Sequence, residues 1–402
     1  MKSKIIVIGL FVLTAATVAY YPAVRGSVTQ VVNPPVQQGV VPVVPVAVPK
    51  IEVVFVLDTT GSMSGLIQAA KDKIWSIAST MASAQPAPEI RMGLVAYRDR
   101  GDSYVTRVVD LSSDLDSVYA SLMEFEANGG GDTPESVNQA LADAVHAISW
   151  SADPNSYQVV FLVGDAPAHM DYHDDVKYLT TLEEAARRGI VVNTIRCGND
   201  ASTEAQWRAI AAATQGAYFS VDQAGSAIAL ATPYDVQLSR LSADLDDTRL
   251  YYGNEEERAE KQAKIAATER FHALASAPVR ARRATFNISA SGEKNLFGDG
   301  DLVGGIASGE VKLDELEVAQ LPESLQKLTQ TQRQEAVRAN SERRDGLIAQ
   351  IRELSEQRAS YLAAEVESID DKEASLDHAI FEAVRDQAGK KGLKYSAAGP
   401  TY

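Results

Sequence analysis

Cysteine is almost missing from this chain: Cys197 is the only one in 402 residues. Its isolation excludes an internal disulfide and any zinc cluster built from several thiolates, and it is read as a small apolar side chain packed at the end of a strand. Positive charge is also scarce. Lys and Arg number 38 against 54 Asp and Glu, giving a formal net charge of -16, and such a surface repels phosphate backbones and anionic lipid headgroups. Nucleic acid is therefore set aside as a partner. No internal repeat is detectable, so the chain does not read as an array of stacked units. Apolar residues, by contrast, make up 45% of the sequence, enough for the core of one ordinary domain and a substantial second region.

The N-terminus holds the longest apolar run. Lys2 and Lys4 precede Ile5 to Val18, and Thr17, Val18 and Ala19 supply the small-residue pattern of a cleavage site. Residues 1–24 are thus a secretory signal peptide cut after Ala19, or an uncleaved anchor that continues to about Val24, close to the ~20 residues that span a bilayer. Either way the lysines stay in the cytoplasm and the rest of the chain is exported. The expected location is the bacterial periplasm or cell envelope, secreted or tethered to the inner membrane through residues 5–24. Residues 25–50 contain Pro34, Pro35, Pro42, Pro45 and Pro49 among valines, a composition that favours extended chain and acts as a spacer.

From residue 51 to 232, apolar runs alternate with amphipathic stretches, the pattern of a sheet covered by helices on both faces. Strands are expected at Glu52 to Leu57, Ile90 to Tyr97, Tyr104 to Asp110, Val159 to Val163, Ile190 to Ile195 and Ala217 to Val221. Helices are expected at Ser64 to Ser83, Leu115 to Phe125, Pro134 to Ile148, Asp174 to Arg188 and Thr203 to Thr214. The six residues Arg98 to Ser103 are too few for a crossover helix, so the second and third strands must run antiparallel. The fold class is α/β: a doubly wound, mostly parallel sheet with one antiparallel edge strand.

Residues 233–320 read as a helical region in which Val236, Leu238, Leu241 and Leu245 recur at helical spacing. Short strands are expected there at Ala284 to Ile288 and Val311 to Leu313. Asp299 and Asp301 lie in a turn read as solvated, because the rest of a calcium loop is absent. Residues 321–402 hold a long charged helix from Pro322 to about Ile369. Its seam of Leu347, Ile351, Leu354 and Tyr361 resembles a coiled coil, interrupted by Arg358. The seam serves self-association or packs back on an earlier helix. A last helix is expected at Leu376 to Ala388.

Three oxygen-rich loops follow strands at one edge of the sheet. The first strand ends in Asp58, Thr59, Thr60, Gly61 and Ser62. A glycine-led loop runs through Gly129, Gly130, Gly131, Asp132, Thr133, Pro134 and Glu135 into a helix with proline in its first turn. Gly164 and Asp165 close the fourth strand. Open α/β sheets bind ligands in the crevice at this edge. Carboxylates mixed with neutral hydroxyls and no sulfur suit a hard cation such as Mg2+ that keeps some of its water.

Asp58, Thr60 and Ser62 match the Asp-x-Ser/Thr-x-Ser element of von Willebrand factor type A domains, so residues 51 to 221 resemble that family. The Gly129 to Glu135 loop looks like the family's second element and Asp165 matches its third. The resemblance implies a metal-ion-dependent adhesion site with Asp58, Thr60, Ser62 and Asp165 as ligands and either Thr133 or Glu135 from the second loop. The ion is Mg2+, Mn2+ or Ca2+. The resemblance further implies a non-enzymatic binding module whose partner is a protein with an exposed Asp or Glu. A phosphoryl-transfer enzyme using Asp58 is the rival reading, against which Thr60 stands where such phosphatases need a second aspartate. A third is an assembly factor acting through the helical tail. His169 and His173, among three aspartates after Asp165, read as a solvated loop ending in capping aspartates, with a second metal site as the alternative. Arg100, Gly101 and Asp102 spell a tripeptide read by integrins but are ordinary turn residues, and receive no function.

Overall fold

The computed structural model describes residues 48–65, 67–131, 133–221, 231–367 and 376–395. The expected signal or anchor segment and nearly all of the proline-rich linker lie outside the described residues. Among those described, no helix is long and apolar enough to cross a membrane.

The sheet and its helices follow in the order β1 (Lys50–Asp58), a 3-10 turn (Gly61–Gly65), α1 (Ile67–Ala82), β2 (Glu89–Tyr97), β3 (Thr106–Ser112), α2 (Leu115–Met123), α3 (Val137–His146), β4 (Tyr157–Gly164), α4 (Tyr178–Arg188), β5 (Ile190–Cys197), α5 (Ala201–Ala213) and β6 (Tyr218–Val221). Strand order is β3-β2-β1-β4-β5-β6. Only β2 and β3 pair antiparallel, while β1 pairs parallel with both β2 and β4. All six expected strands and the antiparallel edge are present. The central strands are buried on both faces, as an uninterrupted apolar run requires. Val53, Phe55 and Leu57 of β1 pack into the core beneath α1 and α2, and Val54 and Val56 into the opposite core with α3, α4 and Trp207 of α5.

The helical region comprises α6 (Asp235–Asp246), α7 (Glu255–Leu274), α8 (Ala277–Asn287), α9 (Glu293–Phe297), α10 (Leu302–Ser308), α11 (Glu323–Gln326), α12 (Gln330–Glu367) and α13 (Leu376–Gly389). Two strand expectations fail here. Ala284 to Asn287 end helix α8, which starts with a proline in its first turn, a position where proline's fixed φ favours a helix. Val311 to Leu313 are irregular chain. Leu238, Leu241 and Leu245 of α6 are buried as their spacing implied, but Val236 is exposed. Asp301 is not solvated either: it caps α10 through the Gly304 amide at 2.8 Å and is buried against Arg344 at 2.7 Å.

The apolar seam of α12 is used within the chain. Leu347 and Ile351 are buried with Leu238, Leu241 and Leu245 of α6. Arg358, expected to interrupt the seam, completes it by donating to Asp235 at 2.7 Å with both side chains buried. Phe271 of α7, Val279 and Phe286 of α8, and Ile380, Val384 and Ala388 of α13 share one core with β1, β4 and α1. Helix α13 is hydrogen-bonded to the sheet as well, Tyr157 of β4 donating to Gln387 at 2.6 Å.

Candidate metal centre

At the carboxyl end of β1 the backbone stays paired with β2, Thr59 donating its amide to the Tyr97 carbonyl at 3.0 Å. Asp58 is buried, and its Oδ1 accepts from the Thr60 amide at 2.9 Å and from Thr60 Oγ1 at 2.6 Å. Thr60 Oγ1 lies 3.2 Å from Ser62 Oγ, and Ser62 Oγ donates to Asp165 Oδ1 at 2.9 Å. A continuous ladder of oxygens therefore joins β1 to the end of β4. Gly164 makes the approach of those strand ends feasible. A methyl at that position would overlap the Tyr97 hydroxyl and stand 2.8 Å from Asp58 Cβ.

The glycine-led loop is laced to the same edge. Gly61 donates to the Gly129 carbonyl at 3.1 Å and Asn128 to the Thr59 carbonyl at 3.0 Å. Gly129 and Gly130 have φ of 76° and 72°, conformations open to glycine and costly for other residues. A Cβ on Gly130 would stand 3.1 Å from Thr60 Cβ and 3.3 Å from Glu135 Oε1, so the missing side chain lets Glu135 draw close to Thr60. Glu135 is buried and pinned through its backbone, donating to Pro167 at 2.9 Å and accepting from His169 at 3.0 Å. Thr133, by contrast, is exposed.

Three carboxylates thus share one poorly solvated edge, and each resists ionisation. Burial pushes Asp58 up to about 7 against the hydrogen bonds from Thr60, with the Asp165 charge adding to the rise. Burial and then the charges of Asp58, Asp99, Asp102 and Asp165 push Glu135 up to about 9. Burial also raises Asp165. Asp58 Oδ2 and Glu135 Oε2 are buried without a hydrogen-bond partner, an arrangement costly for polar oxygen unless another group satisfies it. Unpaired carboxylate oxygens beside neutral hydroxyls fit a hard divalent cation. Asp58, Thr60, Ser62 and Asp165 would hold it, with Glu135 the buried neighbour in the second loop and Thr133 the exposed one.

Among the described residues no group of three or more His, Cys, Asp and Glu side chains is arranged to hold a metal ion, so the donor set here depends on hydroxyls. The second site weighed for His169 and His173 lacks support. His173 is exposed. His169 is buried, stacked on Tyr172 with ring centroids 3.9 Å apart, and held between Asp171 at 2.7 Å and Asp99 at 3.3 Å. Cys197 is buried at the end of β5, where burial pushes its thiol up to about 12, consistent with a packing role.

The β2–β3 turn contributes more than its sequence suggested. Arg98 is buried and donates to the Thr59 carbonyl at 3.1 Å and to the Glu126 carbonyl at 2.8 Å. Asp99 accepts from Ser136 and from Tyr172, each at 2.8 Å. Asp102 accepts from the Gly130 amide at 3.1 Å, so the last residue of the Arg-Gly-Asp tripeptide braces the glycine loop. The only signal in the sequence was the density of charge in a short connector.

Residues 52–232 match the family described as von Willebrand factor A domain. Among curated proteins, the alpha-protein kinase vwkA of Dictyostelium discoideum is 29% identical over 125 residues, 31% of this chain and 20% of that protein. The von Willebrand factor A domain-containing protein 7 of Rattus norvegicus is 40% identical over 87 residues, 22% of this chain and 9% of that protein. The chain therefore spans a fifth or less of the length of these two relatives. Among solved structures, the conserved hypothetical protein BatB from Bacteroides thetaiotaomicron is similar at 17% identity and a TM-score of 0.33, covering 43% of this chain and 90% of that one. Proximal thread matrix protein 1 from the mussel byssus, described with a zinc-occupied MIDAS motif, is similar at 15% identity and a TM-score of 0.36, covering 44% and 42%.

Proposed function

Taking residues 52–232 as a von Willebrand factor A domain, we propose that this chain is a divalent-cation-dependent protein-binding module of the cell envelope. Domains of this family are commonly metal-dependent interaction modules. The observation that carries the reading is the pair of buried, unpartnered oxygens, Asp58 Oδ2 and Glu135 Oε2, beside the hydroxyl ladder that links Asp58 to Asp165. Asp58, Thr60, Ser62 and Asp165, with Thr133 or Glu135, hold Mg2+, Mn2+ or Ca2+. An ion facing few direct carboxylates keeps affinity for an outside anion. An exposed Asp or Glu of a partner supplies it.

Phosphoryl transfer from Asp58 is the weaker reading, because Asp58 is 1% exposed and its Oδ1 is occupied by Thr60. The N-terminal segment, as a cleaved signal or a retained anchor, delivers the module outside the cytoplasm. Titration calorimetry of the purified chain with Mg2+ and Mn2+ is expected to give saturable heat that Asp58→Ala removes. Comparison of Thr133→Ala with Glu135→Gln then identifies the second-loop ligand. A wild-type protein that gives no heat with either ion at millimolar concentration overturns the reading.

A further inference from the structure

A cavity of about 550 Å3 opens in the helical region, outside residues 52–232. The chain entering α7 forms one wall, the first turns of α7 a second, and Pro322, Glu323 and Ser324 at the start of α11 a third. Its volume falls in the range of about 300–1,000 Å3 that small-molecule pockets occupy. The lining positions 255, 258, 259, 262 and 265 of α7 recur every three or four residues, so they share one face of that helix. Leu250, Ala259, Ile265 and Pro322 give the cavity its apolar surface.

Three cations line it, and they are differently engaged. Arg249 donates to the Asp246 carbonyl at 2.9 Å and to Thr268 at 3.1 Å, and stands 3.7 Å from the Asp246 carboxylate. Arg258 and Lys261 are half-buried, and among the described residues neither pairs with a carboxylate. Arg258 donates to the Leu321 carbonyl at 3.2 Å, which holds its guanidinium toward the third wall and leaves further N–H groups of the fork available. The Lys261 ammonium lies 5.9 Å from the centroid of the Tyr251 ring, in another lining residue.

Acidic groups around the cavity do not cancel these two charges. Glu255 and Glu323 line it but are exposed, so water solvates them. Asp301, Asp114 and Asp246 act on Tyr251 from behind the wall, and each is paired, with Arg344, Lys264 and Arg283. A partly desolvated cation attracts an anion more strongly than a fully hydrated one. Two such cations beside apolar surface favour one anionic group on an apolar body, and the two exposed glutamates oppose a second anionic group.

We propose that this cavity binds a small organic monoanion, a carboxylate on an aliphatic or aromatic body, with Arg258 and Lys261 taking the carboxylate and Leu250, Ile265 and Pro322 covering the body. An Arg fork held in place beforehand suits a planar carboxylate.

Ligand-observed NMR on the full chain tests this, with the divalent cation removed so that no carboxylate can bind through the candidate centre. The probes are hexanoate and phenylacetate, the neutral phenylacetamide and the dianion phenylsuccinate. Hexanoate or phenylacetate is expected to bind saturably at millimolar concentration, and phenylacetamide and phenylsuccinate at least about tenfold more weakly. The double variant Arg258→Met, Lys261→Met keeps apolar stems and removes both charges. It is expected to weaken the bound monoanion at least about tenfold. Should that variant unfold, Lys261→Met alone, which removes no hydrogen bond among the described residues, is expected to weaken it at least about threefold. Failure of both monoanions to bind, equal or tighter binding of the amide or the dianion, or unchanged binding by the folded variant would each overturn the proposal.

Discussion

The side-chain amides of Asn193 and Gln387 exchange two hydrogen bonds, Gln387 donating at 2.8 Å and accepting at 3.1 Å. Asn193 is in β5 and Gln387 in the last helix, 194 residues away. That helix also places Ile380, Val384 and Ala388 in the core shared by β1, β4 and α1. The sheet that carries the candidate centre is therefore closed by the C-terminal helix, outside residues 52–232. Replacing Gln387 with Leu leaves a buried amide and the Tyr157 hydroxyl without this partner, at a cost of about 1–3 kcal/mol for each group left unsatisfied. Urea unfolding of the full chain measures it. Stability equal to wild type would show the amide pair to be dispensable.

A buried ion cluster joins α6 and α8 to α2 of the sheet region. Arg283 is fully buried and pairs with Asp116 at 2.5 Å and Asp246 at 2.8 Å. Burial alone would raise Asp116, but the Arg283 charge and hydrogen bonds, aided by Lys264, hold it below its ordinary value. A depressed carboxylate stabilises the fold above its unfolded-state pKa and loses that contribution as pH falls through the folded one. Arg283→Met should cost about 3–5 kcal/mol near neutrality, since it leaves buried Asp116 without its paired cation and Asp246 with only Arg249 and His272. It should also flatten the loss of stability on acidification below about pH 4, where Asp116 protonates in the unfolded chain. Denaturant titrations of both proteins across that range decide the matter.

Much of this was legible in the sequence. The central strands were readable because parallel strands buried on both faces carry unbroken apolar runs, and the antiparallel edge followed from the shortness of the segment from Arg98 to Ser103. Asp58, Thr60, Ser62 and Asp165 were readable because each stands next to a strand end, and strand ends of one sheet edge meet. What stayed hidden depended on partners distant in sequence. Arg358 looks like a break in a seam until Asp235, 123 residues earlier, neutralises it. Ala284 to Ile288 has a strand-like composition, yet Ala284 ends a helix begun at Ala277 and shares a buried core with Leu241 and Leu347, which the local sequence does not show. Asp102 looks like a turn residue because nothing local shows that its carboxylate faces Gly130.

The raised carboxyls predict how pH and cation act together. The folded-state values of about 7 for Asp58 and about 9 for Glu135 lie above the ordinary 3.8 and 4.5. The folded chain therefore binds more protons than the unfolded chain between those limits, and its cation-free stability falls as pH rises through them. A cation requires the deprotonated carboxylates and competes with those protons. The gain in Tm on adding Mg2+ should be small near pH 5 and should grow toward about pH 9. Differential scanning calorimetry with Mg2+ or chelator at each pH checks it. A gain that is flat with pH would mean that these two carboxyls do not face the ion.

Gly164 offers a test that removes no donor atom. It sits where β4 passes beneath Asp58 and Tyr97, and a methyl there would overlap the Tyr97 hydroxyl and press on Asp58 at 2.8 Å from its Cβ and 2.9 Å from its Oδ2. Backbone and neighbours of a close-packed strand yield only in part, so the strain is relieved where side chains can move, by displacing the Asp58 carboxylate. Cation sites with near-ideal geometry tolerate such displacement poorly. Gly164→Ala should therefore weaken Mg2+ binding by at least about tenfold while Asp58, Thr60, Ser62 and Asp165 all remain. An overpacked core also costs about 1–3 kcal/mol, so calorimetry must be run where unfolding curves show the variant to be folded. Wild-type Mg2+ affinity in a folded Gly164→Ala protein would mean that Asp58 does not need its present position to hold the ion.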